Sequence, residues 1–436
     1  MLKRKFTSLA VLAALAIVPA TRCQANTNAD DAVVYHFFSA IRDNDFKAAT
    51  AHFSVRMKAL SPAGLKGSWK QVYTSEEPLV SWKIFQRQNL PEGHDELRVQ
   101  LKFRRAAANS VVVVKTQTGE ITSVLFKLPV TTPPYAEPAK FHSEDVTVGE
   151  FKLPGTITIP NGTGPFPAVV LIHGSGPNDR DETVGANHPF ADIAEGLSSR
   201  GIVVLRYDKR TYAYKTLDPQ KTTVEEEVIH DGVAAVKLLR GRPEVARNRI
   251  FVVGHSLGAT MAPEVAEKAH DVAGIVLLAP LGRKLPATIV QQLRYLGQAS
   301  PEQLAQLERQ ADEISAHKMP PKQFFFGAPA SYYYDLDARD EVAIARSLDL
   351  PILIIHGGRD YQVIDEDIRV WQDGLKGDAK VQVDSLPALN HLFIAGAGKS
   401  GPAEYATAGH VDVAVIGTIA SFIASAGAAP PRTAMN

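Results

Sequence analysis

The run Arg249-Ile-Phe-Val-Val-Gly-His-Ser-Leu-Gly-Ala-Thr260 reads as a strand, an abrupt corner and the start of a helix. Ile250 to Val253 is an uninterrupted apolar stretch of the kind buried on both faces of a parallel sheet. Gly254-His255-Ser256-Leu257-Gly258 follows with G-x-S-x-G spacing, and Ala259 to Lys268 turns helical. In a nucleophile elbow the serine sits on so tight a turn that side chains beside it would collide, hence the glycines. The corner lifts the hydroxyl above the sheet and aims the next helix's first amides at the charge that forms during acyl transfer. Such a pentapeptide also arises by chance. Its place between a strand and a helix makes the elbow reading the stronger one.

Working outward, strand and helix alternate on both sides of the elbow. Ala168 to Ile172 reads as a buried strand, followed by helix Phe190 to Ser199, strand Ile202 to Tyr207 and helix Val224 to Leu239. Strand Gly274 to Leu278 comes after the elbow helix. Strand Pro351 to His356, helix Asp365 to Trp371, strand Val381 to Val383 and helix Val411 to Ala424 close the pattern. This alternation predicts an α/β fold with a mainly parallel sheet between helices, led in by an antiparallel pair at Glu144 to Val148 and Phe151 to Ile159. Residues 281–345 interrupt it with helical patterns and the aromatic runs Phe324-Phe325-Phe326 and Tyr332-Tyr333-Tyr334. An insertion at that point would overhang the carboxyl ends of the strands, and it is read as a helical lid; a cap that only covers core is the alternative.

Ahead of this domain, residues 26–130 place helical spacing over Asp30 to Phe53, broken at Arg42-Asp43-Asn44-Asp45 into short helices. Strand-length pieces follow at 79–88, 96–104, 110–116 and 121–127, with Gly119 at a hairpin turn. That order predicts a small α+β accessory domain, whose layout is similar to the cone-shaped modules ahead of some bacterial secreted hydrolases. Phe37, Phe38 and Phe46 are read as its core. Residues 131–143, rich in proline, are read as a linker, the catalytic domain as 144–425 and residues 426–436 as a frayed tail.

The 436 residues contain 45% hydrophobic and 22% charged side chains, ordinary values for a soluble globular protein. Lys3-Arg4-Lys5, the apolar run Leu9 to Val18 and the small residues Ala20 and Ala25 come in the order of a secretory signal, so residues 1–25 are read as a signal peptide and the protein as exported, periplasmic or secreted. The run is too short for a bilayer core of roughly 30 Å, and no other stretch predicts a membrane span. Loss of Lys3, Arg4, Lys5 and Arg22 would take the formal charge from zero to about four negative, so nothing recruits nucleic acid. The single cysteine, Cys23, would leave with the signal, excluding disulfides and a thiol nucleophile.

Ser256 needs a base, and the base needs a group to fix its tautomer. Asp360 stands just past the strand Ile352 to His356, in Gly357-Gly358-Arg359-Asp360, and His391 lies in the loop after the next strand, in Leu386-Pro-Ala-Leu-Asn-His-Leu-Phe393. The order Ser256, Asp360, His391 is that of an α/β-hydrolase triad. Among the rivals, His255 should point away from the serine, His173 reads as structural, Asp365 and Glu366 as helix caps, and His410 as the opening of the last helix. Two backbone amides are expected to hold the oxyanion: that of Leu257 and, from His173-Gly174-Ser175-Gly176-Pro177, that of Ser175, with Gly174 second. Loss of one such donor typically costs about 3–4 kcal/mol of transition-state stabilisation.

From about Glu144 to Ala424 the chain resembles the bacterial serine-esterase branch of the α/β-hydrolase superfamily, near acyl esterases and serine-aminopeptidase-like hydrolases. The resemblance rests on His173-Gly-Ser-Gly-Pro-Asn-Asp-Arg-Asp181, Arg206-Tyr-Asp-Lys-Arg210, Gly254-His-Ser-Leu-Gly258, Gly357-Gly-Arg-Asp360 and Asn390-His-Leu-Phe393, which occur in family order. It implies a Ser256, Asp360, His391 triad, an acyl-enzyme and no cofactor. Asp179, Arg180 and Asp181 are separately expected to brace the oxyanion loop by ion pairs. Gly396-Ala-Gly-Lys-Ser400 imitates a phosphate-binding loop, but Phe393 occupies the leading glycine position, so nucleotide binding is not expected. The histidines lack H-E-x-x-H spacing, so neither is a metal. The expectation is a carboxylic-ester hydrolase acting on small-molecule esters. A peptidase or amidase on short or acylated substrates, and a non-catalytic ligand-binding relic, remain alternatives. Residues 26–130 are open between binding cell-wall sugar and supporting a homodimer.

Overall fold

A computed structural model describes residues 27–73, 78–103, 106–126, 130–214 and 217–426. The expected signal peptide, Cys23 and nearly all of the expected tail lie outside these residues. The chain divides after Pro129 into two units. In the first, helix α1 (Thr27–Arg42) runs unbroken to the expected polar turn, where Asn44 takes φ 57° and Asp45 caps a single helical turn, Phe46–Ala49. The sequence reading misses helix α2 (Pro62–Val72), started by Ser61, whose Oγ accepts from the Gly64 amide at 3.1 Å. Strands β1 (Ser81–Leu90), β2 (His94–Lys102), β3 (Ala106–Lys115) and β4 (Glu120–Phe126) pair in sequence as an antiparallel meander. Alternate residues Leu97, Val99 and Leu101 turn inward against Phe37, Phe38 and Phe53, so the aromatic stripe is core.

The second unit is built on an eight-stranded sheet. Its strands are β5 (Phe141–Val148), β6 (Leu153–Pro160), β7 (Phe166–Ile172), β8 (Val203–Tyr207), β9 (Val245–His255), β10 (Gly274–Leu278), β11 (Ile352–Gly357) and β12 (Val381–Leu386). They lie in the order β12-β11-β10-β9-β7-β8-β6-β5, parallel except where β6 meets β8 and β5. The apolar runs sit at the centre for a physical reason: β7, β9, β10 and β11 are covered on both faces, so neither side can be polar. Val253 pairs with Leu171 on one side and Val276 on the other, which puts the elbow strand mid-sheet.

Helices α3 (Pro189–Ser198), α4 (Asp231–Arg240), α5 (Leu257–Ala269), α10 (Asp365–Gly374) and α11 (Val413–Ala426) accompany the sheet. A π-helical stretch, Glu225–His230, precedes α4 where one continuous helix was expected. Residues 131–143 are tied down more than a linker would be: the Tyr135 hydroxyl donates to the Val411 carbonyl at 2.7 Å, and Phe141 already begins β5. The insertion holds α6 (Leu285–Leu296), α7 (Pro301–Ser315), α8 (Ala330–Asp337) and α9 (Glu341–Ser347). It has a core of its own, in which Phe325 and Tyr333 are buried and the Tyr333 hydroxyl bonds the Phe325 carbonyl at 2.7 Å.

The return from the insertion to the sheet carries an uncompensated acid. Glu341 on α9 is buried against α5, and neither of its carboxyl oxygens meets a donor among the described residues. Nearby Glu264 is already bound by Arg339 at 2.7 Å and Lys268 at 2.8 Å. Burial, and then the Glu264 charge, push the Glu341 carboxyl up to about 9. The fold therefore holds this proton more tightly than the unfolded chain, so the contribution of Glu341 to stability is full in acid and is lost as pH rises towards 9. Glu341→Gln, which cannot ionise, should gain about 1–3 kcal/mol over the parent at pH 8.5 and almost nothing at pH 4.5. Thermal melts of both proteins across that range check this; a difference independent of pH would refute it.

Candidate active site

The corner after β9 is as tight as the motif demands. Ser256 sits at φ 53°, ψ −118°, and its amide donates to the Leu278 carbonyl at 2.8 Å. A Cβ on Gly254 would lie 2.1 Å from the Gly258 carbonyl oxygen, and one on Gly258 would lie 2.2 Å from that of Ile172. Both clashes are with backbone, so no side-chain movement relieves them. Leu257 opens α5, where first-turn amides have no partner inside the helix.

The other candidates come from the same carboxyl edge of the sheet, Asp360 just beyond β11 and His391 just beyond β12. Asp360 Oδ2 bonds His391 Nδ1 at 2.6 Å, and Asp360 Oδ1 accepts from the amides of Gln362 at 2.8 Å and Val363 at 3.0 Å. A carboxylate with one oxygen fixed by two amides can offer only the other to the imidazole. That contact sets His391 as Nδ1–H, leaving the Nε2 lone pair free. The Ser256 hydroxyl makes no hydrogen bond among the described residues. The residue before it reaches across instead, with the His255 ring centroid 4.7 Å from that of His391.

Asn390 organises the His391 loop. Its side-chain oxygen accepts from the Leu392 and Ile394 amides at 3.0 and 3.2 Å, and its side-chain nitrogen donates to Glu404 at 3.0 Å. Arg359 pairs with the same glutamate and donates to the carbonyls of Ala397 and Gly398. The segment resembling a phosphate loop is therefore a strap held by Arg359. The capping role expected of Asp365 and Glu366 falls to Asp367, which accepts from the Ile364 amide at 3.0 Å. His410 does not open α11: it precedes it and bonds Asp192 at 2.9 Å.

The loop after β7 presses on the elbow, since a Cβ on Gly174 would stand 3.2 Å from Ser256 Cβ. The Gly174 amide is committed to Glu182 Oε1 at 2.6 Å, whereas the Ser175 amide has no acceptor among the described residues. The geometry thus favours Ser175 over Gly174 as an oxyanion donor. Two of the three residues expected to form ion pairs around this loop do so: Arg180 holds Asp208 at 3.0 Å and Asp181 is held by Arg206 at 2.7 Å. Asp179 instead accepts from the Thr183 hydroxyl at 2.8 Å and from the Thr183 and Asp181 amides, and pairs with no cation among the described residues. The sequence reading missed the buried pair Glu182 and His255, which join at 2.8 Å. His255 Nε2 faces the His391 carbonyl at 2.9 Å, an acceptor only, and so carries a proton. Burial opposes a charged ring, but the Glu182 carboxylate outweighs it and raises the His255 pKa; burial likewise opposes the Glu182 anion, yet the imidazole beside it keeps that carboxyl below its usual range. This pair links the oxyanion loop, the elbow and the His391 loop.

A mainly parallel sheet with a serine elbow at its centre and an Asp–His pair at the same edge defines the α/β-hydrolase architecture. The chain belongs to the alpha/beta hydrolase family, whose model matches residues 169–413. It is 42% identical over 407 residues to esterase EstD of Thermotoga maritima, covering 90% of this chain and 95% of that one. Among solved structures, Est1E from Butyrivibrio proteoclasticus aligns with a TM-score of 0.46 and 17% identity over 66% of this chain and 99% of that one. A hyperthermophilic esterase from the archaeon Pyrobaculum calidifontis aligns with a TM-score of 0.43 and 20% identity over 66% and 87% of the two chains.

Proposed function

We propose that the protein is a carboxylic-ester hydrolase working through an acyl-enzyme. The observation that carries the reading is the Asp360–His391 bond at 2.6 Å, made at the sheet edge where Ser256 is held on its strained corner. His391 Nε2 accepts the Ser256 proton as Oγ attacks the ester carbonyl. The oxyanion forms against the Leu257 and Ser175 amides, and the departing alkoxide takes the proton back. Water then repeats the sequence on the acyl-enzyme and frees the acid. The 42% identity to a protein named an esterase, across 90% of this chain, supports the ester over other acyl substrates.

The insertion serves as the lid. Tyr295 and Leu296 on α6 pack with Tyr361, next to Asp360, and with Leu392, next to His391. Tyr295 stacks on Tyr361 with centroids 5.3 Å apart. On this reading insertion residues line the entrance to the site, and acyl-chain preference should follow them. A fluorophosphonate probe should label the purified chain on Ser256, and p-nitrophenyl esters should turn over at least about 100-fold faster than aminoacyl p-nitroanilides of matched size. Faster anilide turnover would make it a peptidase; no labelling would leave a ligand-binding relic.

A further inference from the structure

Lys209 is a basic side chain in the interior, 1% exposed, just beyond the carboxyl end of β8. Its Nζ donates to the Gly174 carbonyl at 3.0 Å and stands 3.5 Å from Glu227 Oε1. Its own amide donates to the Asn178 carbonyl at 3.0 Å, which ties it to the far end of the same loop. The Asn178 side chain adds a second donor to the Gly174 carbonyl at 3.2 Å. That carbonyl and the Ser175 N–H are the two poles of one planar peptide. A cation on the oxygen end withdraws electron density from the nitrogen end, so the N–H becomes a stronger donor. Two donors on the oxygen also oppose rotation of the peptide, which would turn the N–H away from the elbow.

We propose that Lys209 is a positioning residue of the oxyanion hole, orienting and polarising the Gly174–Ser175 peptide so that its N–H stabilises the tetrahedral intermediate. Glu227 holds the ammonium in turn, and Glu227 is itself held by the Tyr332 hydroxyl of α8 at 2.6 Å and by Thr211 at 3.2 Å. Glu182 steadies the preceding peptide from the opposite side by taking the Gly174 N–H. The inference rests on the esterase reading and on Ser175 as one oxyanion donor. Its signature is kinetic, because a donor engaged only when the oxyanion exists changes kcat and leaves ground-state binding alone.

The test uses the full chain, with active sites counted by fluorophosphonate. Lys209→Met keeps the length of the side chain and removes its charge. Lys209→Met/Glu227→Gln also removes the carboxylate that the first change leaves unmatched, so it guards against simple misfolding. Both should lower kcat per labelled site about 10- to 100-fold on a p-nitrophenyl ester, with KM within about threefold. A trifluoromethyl ketone, which traps the serine as an oxyanionic hemiketal, should lose affinity by the same factor as kcat/KM. A fall in melting temperature with per-site kcat and ketone affinity both within twofold of the parent would make Lys209 a structural residue and overturn the proposal. Failure of the parent chain itself to label or to hydrolyse esters would instead strike the functional reading beneath it.

Discussion

Ser256→Ala should lower kcat on a p-nitrophenyl ester by about 10⁴- to 10⁶-fold, abolish fluorophosphonate labelling and leave KM nearly unchanged. The expectation is large because the hydroxyl is the only atom at the elbow that forms and breaks a bond with substrate in the proposed reaction. It is also clean. Alanine keeps the amide that donates to Leu278 and leaves the contacts of Gly254 and Gly258 untouched, so the corner persists. Whatever rate survives measures what binding and the oxyanion amides accomplish without a nucleophile. Steady-state kinetics alongside a thermal melt decide the matter. A folded variant keeping more than about a hundredth of the parental kcat would remove Ser256 from the chemistry.

Asp360→Asn should cost about 10⁴-fold in kcat near neutral pH, although one atom changes identity and almost none changes place. The amides of Gln362 and Val363 demand an acceptor, so the asparagine oxygen must stay where Oδ1 now sits. Its NH₂ group is then turned upon His391 Nδ1 and can only donate. The imidazole must accept there and carry its proton on Nε2, leaving no lone pair for the serine. Measuring kcat/KM between pH 7 and 8, with labelling to confirm an intact elbow, tests the argument. An effect smaller than tenfold would show that Asp360 does not set the tautomer.

The candidate site residues were legible because each follows a strand whose apolar run is unmistakable, and loops at one sheet edge have nowhere else to converge. Ser256, Asp360 and His391 are placed by topology alone. The bracing around them was not legible in the same way. Arg180 with Asp208, and Arg206 with Asp181, could be suspected because two charged motifs occurred together, but Glu182 with His255 lie far apart in sequence and betray no pattern. Lys209 reads as an ordinary charge at a strand end; its value comes from burial, which no local spacing encodes. Helix α2 was missed for the opposite reason. Gly64 and Gly67 weaken the helical signal in it, and Pro62 at the first position, the Ser61 cap and the burial of Leu65 make up the difference. His410 misled because a histidine near a helix start suits a helix-opening role, whereas its partner Asp192 sits on α3.

The backbone at position 256 also bears on history. With φ 53° and ψ −118°, it lies where glycine rests easily and any residue bearing a Cβ is strained by about 1–3 kcal/mol. Neutral drift should therefore erode this codon towards glycine in any lineage that no longer needs an alcohol there. A descendant retired to carrying ligands would betray itself by that single exchange and by melting at a higher temperature than its working ancestor.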